Sequence, residues 1–219
     1  MKYFGISFHR TATRSLNEAM NSAGIPSLHF PSQIGNVNYQ RLVAKSWNRP
    51  DLVLECLQPV LNAYDGHTDV PWPGLWREIF TSMPQSRFII VLRDPEKWWH
   101  SLSLHWRLQF VRRKLSIFER IQYAPYIPDC ARETFGPEHR DLFIDAYNKH
   151  IEDVCGQIPS DRLLVLDLMD TEKAAQLGSF LQTGRTPIFA HHNSSRSTNP
   201  AKRIYRKIVE RVQNEFLPH

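Results

Sequence analysis

The stretch FGISFHRTATRSL (residues 4–16) joins an apolar run to a basic, hydroxyl-rich turn and to the start of a helix. The run from Tyr3 to Phe8 is rich in residues that favour strands. After the turn, apolar residues recur at the spacing of one helix face, as Leu16, Ala19, Met20 and Ala23. The stretch therefore predicts a strand, an anion-binding loop and a helix, although its turn lacks the glycine and the lysine of the pattern G-x-x-x-x-G-K-S/T.

The rest of the chain alternates apolar strands with helical patterns. The segments 87–94 (RFIIVLRD) and 162–168 (RLLVLDL) are apolar runs closed by charge, as in buried strands of a parallel sheet. Long helices are predicted over residues 94–121 and 132–159. The inner side of the second helix is assigned to Leu142, Ala146, Ile151 and Val154. This order predicts one α/β domain over residues 1–219, with a P-loop-like parallel β-sheet flanked by helices on both faces.

The remaining segments give weaker patterns. Residues 26–50 show no periodicity and are expected to form a loop with one short helix, and residues 51–72 hold a short apolar run and a polar turn. Helices are predicted over 74–84 and 171–182, and a last helix opens at Asn199. That last helix has an apolar stripe formed by Ile204, Ile208, Val212 and Phe216. The stripe would dock either on the rest of the chain or on a second subunit, which leaves a homodimer open.

Composition limits the class of function. The net charge is +5 and the pI is about 9.2, which suits an enzyme with a polyanionic small-molecule ligand and also suits a nucleic-acid binder. The three cysteines, Cys56, Cys130 and Cys155, are odd in number and far apart, which argues against a disulfide framework and against a metal knuckle. No run approaches the roughly 20 apolar residues of a membrane span, and no secretory signal is recognised. We therefore expect a cytoplasmic protein without a metal site and without stable membrane insertion.

Two segments have the residues of an anion site. In the turn after the first strand, Arg10 and Arg14 supply charge, Thr11 and Thr13 supply hydroxyls, and the first backbone N–H groups of the helix lack intrahelical partners. The second segment places Arg93 at the carboxyl end of a buried strand. Arginine suits bidentate phosphate binding. If the two strands pair, the two sites are neighbours. The alternatives are solvated surface residues on an ordinary loop for the first segment and, for the second, a surface pair of Arg93 with Asp94 beside an incidental serine.

Ser101 completes the second segment, eight residues after its arginine and about two turns into the following helix. HRTATRSL (9–16) resembles the first loop of a bacterial branch of the sulfotransferases that use 3′-phosphoadenosine 5′-phosphosulfate (PAPS), which reads Pro-Arg-Thr-Gly-Thr-Thr-Ser-Leu. RDPEKWWHS (93–101) resembles the second motif of that family, a strand ending in Arg-Asp-Pro with Trp and Ser after it. With further likenesses at 64–72, 147–168 and 188–195, the resemblance runs with gaps from residue 3 to about 195.

The resemblance implies a role for each matched residue. Arg10 matches the loop cation, and Arg93 with Ser101 would hold the 3′-phosphate of the donor. The other matched loop positions are Thr11 and Thr13 as hydroxyls and Ser15 at the helix start. Arg196 falls where the family places a basic loop over the 3′-phosphate; the other reading is an exposed loop arginine.

Two loop residues depart from the family pattern. Ala12 replaces the glycine, so a positive φ there would be strained. Arg14 replaces a threonine that usually touches the 5′-phosphate, and it would either add charge there or point to solvent.

The resemblance also implies a reaction. A sulfuryl group would pass in line from PAPS to an acceptor hydroxyl or amine and leave 3′,5′-adenosine bisphosphate (PAP), with Arg10 stabilising the charge of the leaving phosphate. No metal is required, because the sulfonate carries less charge than a phosphate. A base must take the acceptor proton. By resemblance we favour Asp69, with His67 second, although a turn-capping Asp and an exposed His are the plainer readings of these residues.

Two other functions stay open. The first is a P-loop kinase acting on a nucleotide or small molecule; the missing G-K-S/T speaks against it, although Asp167 after LLVL could be proposed as a metal partner. The second is a non-catalytic member of the fold that binds a nucleotide. The arginines are spread over the chain, so we predict no nucleic-acid partner. The expected acceptor is a small molecule, a glycan or a lipid, and its identity is not encoded in these patterns.

Overall fold

A sheet of five parallel strands forms the centre of the fold, in the spatial order β2-β5-β1-β6-β7. The structure is a computed structural model that describes residues 1–108, 115–127 and 137–189. The sheet strands are β1 (Tyr3–Gly5), β2 (Ser27–His29), β5 (Gly66–Thr68), β6 (Arg87–Leu92) and β7 (Leu163–Asp167). A separate antiparallel pair is formed by β3 (Gln33–Ile34) and β4 (Val37–Asn38).

Helices occupy most of the described chain between the strands. They are α1 (Thr13–Ser22), α2 (Tyr39–Leu42), α3 (Pro50–Cys56), α4 (Gln58–Ala63), α5 (Trp72–Ser82), α6 (Pro95–Leu108), α7 (Ile117–Tyr123), α8 (Arg140–Gln157) and α9 (Lys173–Leu181). Short 3₁₀ helices cover Val43–Lys45 and Pro137–His139. Within the described ranges, none of the helices is long and apolar enough to cross a membrane.

The central strand β6 shows why helices cover both faces of the sheet. Side chains alternate between the two faces of a strand. Phe88 and Ile90 accordingly join a core cluster with residues of α3 and α5, whereas Ile89 and Val91 join another with α1 and α9. All four are almost fully buried, which explains the continuous apolar run in the sequence. The predicted α/β fold with a parallel sheet and helices on both faces is confirmed.

A third, aromatic cluster lies beyond the carboxyl end of β1. Phe8, three residues after the end of β1, packs with Trp98 of α6, Tyr123 of α7 and Tyr147 of α8. Trp98 stacks on Tyr147 with ring centroids 4.5 Å apart. This cluster fixes α6, α7 and α8 around the loop that follows β1.

The single helix predicted over residues 94–121 is wrong. The described part of α6 ends at Leu108, and Ser116 has an extended backbone (φ −62°, ψ 163°). Ser116 caps the new helix α7 in a capping box with Glu119. The predicted start at Asp94 is confirmed, since its Oδ1 accepts a hydrogen bond from the backbone N–H of Lys97.

Other sequence predictions need correction as well. Strand β7 lies at the sheet edge, and Val165 is 40% exposed, so this strand is only partly buried. Leu142 is 40% exposed and does not belong to the inner side of α8, where Phe143 and Tyr147 are buried instead. Strands β2 and β5 were not predicted. The predicted last helix, Cys130 and Arg196 lie outside the described residues.

The contact between α5 and α7 depends on Gly74. A Cβ at this position would lie 1.9 Å from the carbonyl oxygen of Ile121. We therefore expect Gly74→Ala to lower the free energy of unfolding by about 3 kcal/mol, measured by urea denaturation. Gly156→Ala is the matched control, because a Cβ in that helix meets nothing within 4 Å and should raise stability by up to about 1 kcal/mol. A Gly74→Ala protein as stable as the wild type would contradict this packing.

Candidate functional site

The candidate site lies at the edge of the sheet where the parallel strands end. Strands β2, β5, β1 and β6 are neighbours, so the segments after them meet there. The segment after β1 leads into α1, and Arg93 follows β6 directly. His29 is the last residue of β2, and Asp69 follows β5. The side-by-side arrangement expected for the two anion-binding segments is therefore present.

The loop after β1 reaches α1 through two residues in the left-handed region. Arg10 has φ 75° and Ala12 has φ 66°, a conformation that glycine adopts more readily. Ala12 is the N-cap of α1 but makes no capping hydrogen bond with its side chain. The first N–H groups of α1 therefore lack a side-chain cap, as in helix ends that bind anions.

The polar loop residues take three different roles. The hydroxyl of Thr11 donates a 2.6 Å hydrogen bond to the carbonyl oxygen of Phe8, so its proton is used inside the turn. Arg14 points outward and pairs with Glu18 on the same helix, with Nε 3.3 Å from Oε1. Ser15 is buried in the first turn of α1.

A chain of hydrogen bonds joins the two predicted anion sites. Nη1 of Arg93 donates to the carbonyl oxygen of Arg10 at 2.8 Å. The side chain of Arg10 then donates from Nε to Oγ of Ser101 at 3.3 Å. The backbone of Arg93 is fixed in turn by Tyr147, whose hydroxyl accepts from its N–H and donates to its carbonyl, both at 2.9 Å.

Electrostatics make this pair of arginines suitable for an anion. Burial and the charge of Arg93 lower the pKa of Arg10. The charge of Asp69 acts in the opposite sense, but the net result is a lowered pKa. Burial likewise lowers the pKa of Arg93. Among the described residues, no carboxylate lies within 4 Å of either guanidinium. A bound phosphate would therefore supply the missing counter-charge.

Asp69 lies on the other side of the loop, again with a left-handed backbone (φ 73°). Its Oδ2 is 3.1 Å from Nε2 of His29, and the same nitrogen is 3.2 Å from Oγ1 of Thr13. Burial would raise the pKa of Asp69, but the net result is a pKa below its ordinary value, and the hydrogen bond with His29 is the largest lowering cause. Asp69 is therefore ionised at neutral pH. Its Oδ1 is buried and has no hydrogen-bond partner in the described part of the chain.

His9 forms a second histidine–carboxylate contact beside the loop. Its backbone N–H donates to Oε1 of Gln122 at 3.1 Å, so the amide nitrogen of Gln122 must be the donor to Nδ1, at 2.9 Å. The neutral ring then carries its proton on Nε2, which lies 3.7 Å from Oε1 of Glu119. Burial, with the charge of Arg10, lowers the pKa of the neighbouring His105 to about 4.

His67 has the surroundings of a core residue. Its side chain is fully buried between Phe4 and Trp72, with ring centroids 5.0 Å and 4.9 Å away. Burial lowers its pKa to about 3. Of the two candidate bases, only Asp69 therefore lies at the loop.

Sequence reasoning missed four polar side chains of this site, namely His9, His29, Glu119 and Gln122. The only signal for His29 is its position, because the short segment SLH (27–29) follows the helix-stopping Gly24 and Pro26. His9 directly precedes Arg10 in the turn itself. The described residues contain no group of three or more His, Cys, Asp or Glu side chains that could hold a metal ion.

Comparison with known proteins shows the family to which the chain belongs. Residues 2–197 match the family model described as the sulfotransferase domain, and the chain belongs to that family. It is similar to the Ava biosynthesis cluster protein M of Aspergillus versicolor, with 25% identity covering 75% of this chain and 70% of that protein. It is also similar to the crystal structure of a sulfotransferase from Alicyclobacillus acidocaldarius, at 16% identity and a TM-score of 0.45, over 95% of this chain and 90% of that one.

A buried histidine below the loop gives a pH-dependent prediction. His150 donates from Nε2 to the carbonyl of Ile6 at 2.7 Å, and its Nδ1 accepts from the hydroxyl of Tyr126 at 3.0 Å, so it must stay neutral. Burial lowers its pKa to about 4 from 6.5. On acidification, His150 of the unfolded chain therefore takes up a proton at a higher pH than His150 of the folded protein. The free energy of unfolding should fall by about 3 kcal/mol as the pH falls from 6.5 to below 4.

This contribution can be isolated by substitution. His150→Gln should be less stable than the wild type at pH 7 but should lose less stability on acidification, as measured by urea denaturation at each pH. His100→Gln, at an exposed position of α6, is the matched control and should keep the pH dependence of the wild type. An unchanged pH dependence in His150→Gln would refute the assignment.

Proposed function

We propose that this protein transfers a sulfuryl group from PAPS to a hydroxyl or amine of an acceptor. The observation that carries the proposal is the hydrogen-bonded chain from Arg93 through Arg10 to Ser101, which unites the two cationic segments in one cradle. Membership of the sulfotransferase family supports the reaction class. The donor, the acceptor and the role of each residue are our inference.

The two ends of the cradle suit the two phosphates of PAPS. The uncapped N-terminus of α1, the hydroxyl of Thr13 and the guanidinium of Arg10 would bind the 5′-phosphate. Arg93 and Ser101 would bind the 3′-phosphate. Each phosphate relieves the repulsion between two half-buried guanidiniums, and this favours a ligand with two separate anionic groups over a neutral one.

The reaction needs positioning and charge stabilisation. The acceptor oxygen or nitrogen attacks the sulfur, the bond from sulfur to the phosphate oxygen breaks, and PAP leaves with the bonding electrons. Arg10 stabilises the charge that develops on the leaving phosphate. Asp69, ionised at neutral pH, orients the acceptor and takes its proton as the new bond forms. The proposal invokes no metal ion, because the transferred sulfonate carries less charge than a phosphate.

We also propose the setting of the reaction. Cys56 and Cys155 are free thiols, which fits a reducing compartment such as the cytoplasm. The acceptor would be a small molecule, a glycan or a lipid. We propose neither nucleic-acid binding nor stable membrane insertion.

Calorimetry with PAP, and separately with ATP and Mg²⁺, tests the proposal. We expect micromolar-scale binding of PAP and no comparable binding of ATP, followed by transfer from PAPS to at least one member of a panel of sugar, lipid, phenol and peptide acceptors. Preferred binding of ATP would instead indicate a kinase. Binding of PAP without transfer to any member of the panel would indicate a non-catalytic member of the fold.

The role of Arg93 is tested by a ligand pair that differs in one phosphate. Arg93→Ala should raise the dissociation constant of PAP by roughly 10- to 100-fold, since a charge-assisted contact is lost, but that of adenosine 5′-phosphate much less. Arg49→Ala is the matched control, because Arg49 is exposed and paired with Asp51. Equal losses for the two nucleotides would contradict the proposed contact with the 3′-phosphate and would show that Arg93 acts only by holding the carbonyl of Arg10.

A further inference from the structure

His29 joins the anion-binding loop to Asp69, and the proposed reaction does not yet use it. Its Nε2 is 3.2 Å from the hydroxyl oxygen of Thr13 and 3.1 Å from Oδ2 of Asp69. The three residues come from the start of α1, the end of β2 and the segment after β5. One nitrogen therefore connects a residue proposed to touch the donor with the residue proposed to take the acceptor proton.

The carboxylate decides where the proton of this nitrogen lies. An ionised carboxylate only accepts hydrogen bonds, so Nε2 of His29 must be protonated. This N–H group donates a hydrogen bond to Oδ2 of Asp69. The other tautomer would place a nitrogen lone pair 3.1 Å from a carboxylate oxygen, and the two would repel. Towards this N–H group the hydroxyl oxygen of Thr13 acts as an acceptor. The hydroxyl proton of Thr13 is then directed elsewhere.

We infer that His29 is a positioning residue of the donor site: it holds Asp69 and directs the hydroxyl proton of Thr13 towards the anion at the start of α1. The inference rests on the proposed function, because it needs a phosphate at that helix end. Without His29, the Thr13 hydroxyl is free to donate to Asp69 or to water. It would then have to reorient when the donor binds.

The charges around Asp69 support a lasting arrangement. Arg10 and His9 face it from the loop after β1, and His105 faces it from α6. Burial would raise the pKa of Asp69, but the net result is a lowered pKa, and the hydrogen bond with His29 is the largest lowering cause. Asp69 therefore stays an acceptor through the neutral range, and the orientation imposed on Thr13 persists there.

A double-mutant cycle with PAP as the probe tests this inference. If His29 acts through the Thr13 hydroxyl, His29→Ala should raise the dissociation constant of PAP about tenfold in the wild-type background. In the Thr13→Val background, which has no hydroxyl to orient, the same substitution should change it by less than about twofold. His29→Gln, which keeps an N–H donor, should stay within about threefold of the wild type.

Further variants separate orientation from simple support of the loop. Thr13→Ser keeps the hydroxyl and should retain the full effect of His29→Ala, and thermal unfolding of each variant shows that it is folded. His100→Ala, on the exposed side of α6, is the matched histidine control and should bind PAP like the wild type.

The outcomes also distinguish this inference from the proposed function. A wild-type protein that does not bind PAP overturns the proposed function, and this inference with it. A wild-type protein that binds PAP, combined with equal effects of His29→Ala in the wild-type and Thr13→Val backgrounds, overturns the positioning role alone. A His29→Gln variant as weak as His29→Ala overturns it as well.

Discussion

The hydrogen bond from the guanidinium of Arg93 to the carbonyl oxygen of Arg10 is the contact on which the candidate site depends. It exists because β1 and β6 are parallel neighbours, so that the segments after them begin side by side. It also needs the two hydrogen bonds between the hydroxyl of Tyr147 and the backbone of Arg93. These bonds fix the backbone from which the Arg93 side chain extends. The pairing of β1 with β6 and the aromatic cluster that contains Tyr147 therefore position the same few atoms of the loop.

That contact also sets the electrostatic character of the site. A hydrogen bond to a backbone carbonyl holds the side chain of Arg93 in place without neutralising it. Arg93 therefore keeps its full charge near the second cation, Arg10. Two carboxylates do lie in the region, but each has another partner. Asp69 is bound to His29, and the carboxylate of Glu119 accepts a hydrogen bond from the backbone N–H of Ser116, the N-cap of α7. The carboxylates are thus held by histidines and backbone groups, and the guanidiniums retain their capacity for a ligand.

The features that could be predicted from sequence are those that fill a long pattern or a characteristic cluster. Strand β6 could be recognised by its continuous apolar run, and the meeting of Arg10 and Arg93 followed from the rule that parallel strands end at one edge. Strands β2 and β5 have only three residues each, too few to show a period of two. The separate start of α7 had a signal, the spacing of Ser116 and Glu119, which the surrounding helical pattern obscured.

The direction of individual side chains could not be predicted from the sequence. His67 and Asp69 are two residues apart, a spacing that would place both on one face of a continuous strand. His67 lies in β5 opposite Phe4 in the core, whereas β5 ends at Thr68 and Asp69, with a positive φ, lies at the loop. The end of so short a strand had no signal in the sequence.

The backbone of the candidate site is strained at three residues that are not glycine. Arg10, Ala12 and Asp69 all have positive φ, at a cost of about 1 kcal/mol or more for each residue. Such conformations persist only where the surroundings hold them. Here Thr11 donates to Phe8, the indole of Trp98 donates to the carbonyl of His9 at 3.0 Å, and Arg93 holds Arg10. Because these bonds are made within the protein itself, the proposed donor would bind with little loss of conformational freedom in the loop.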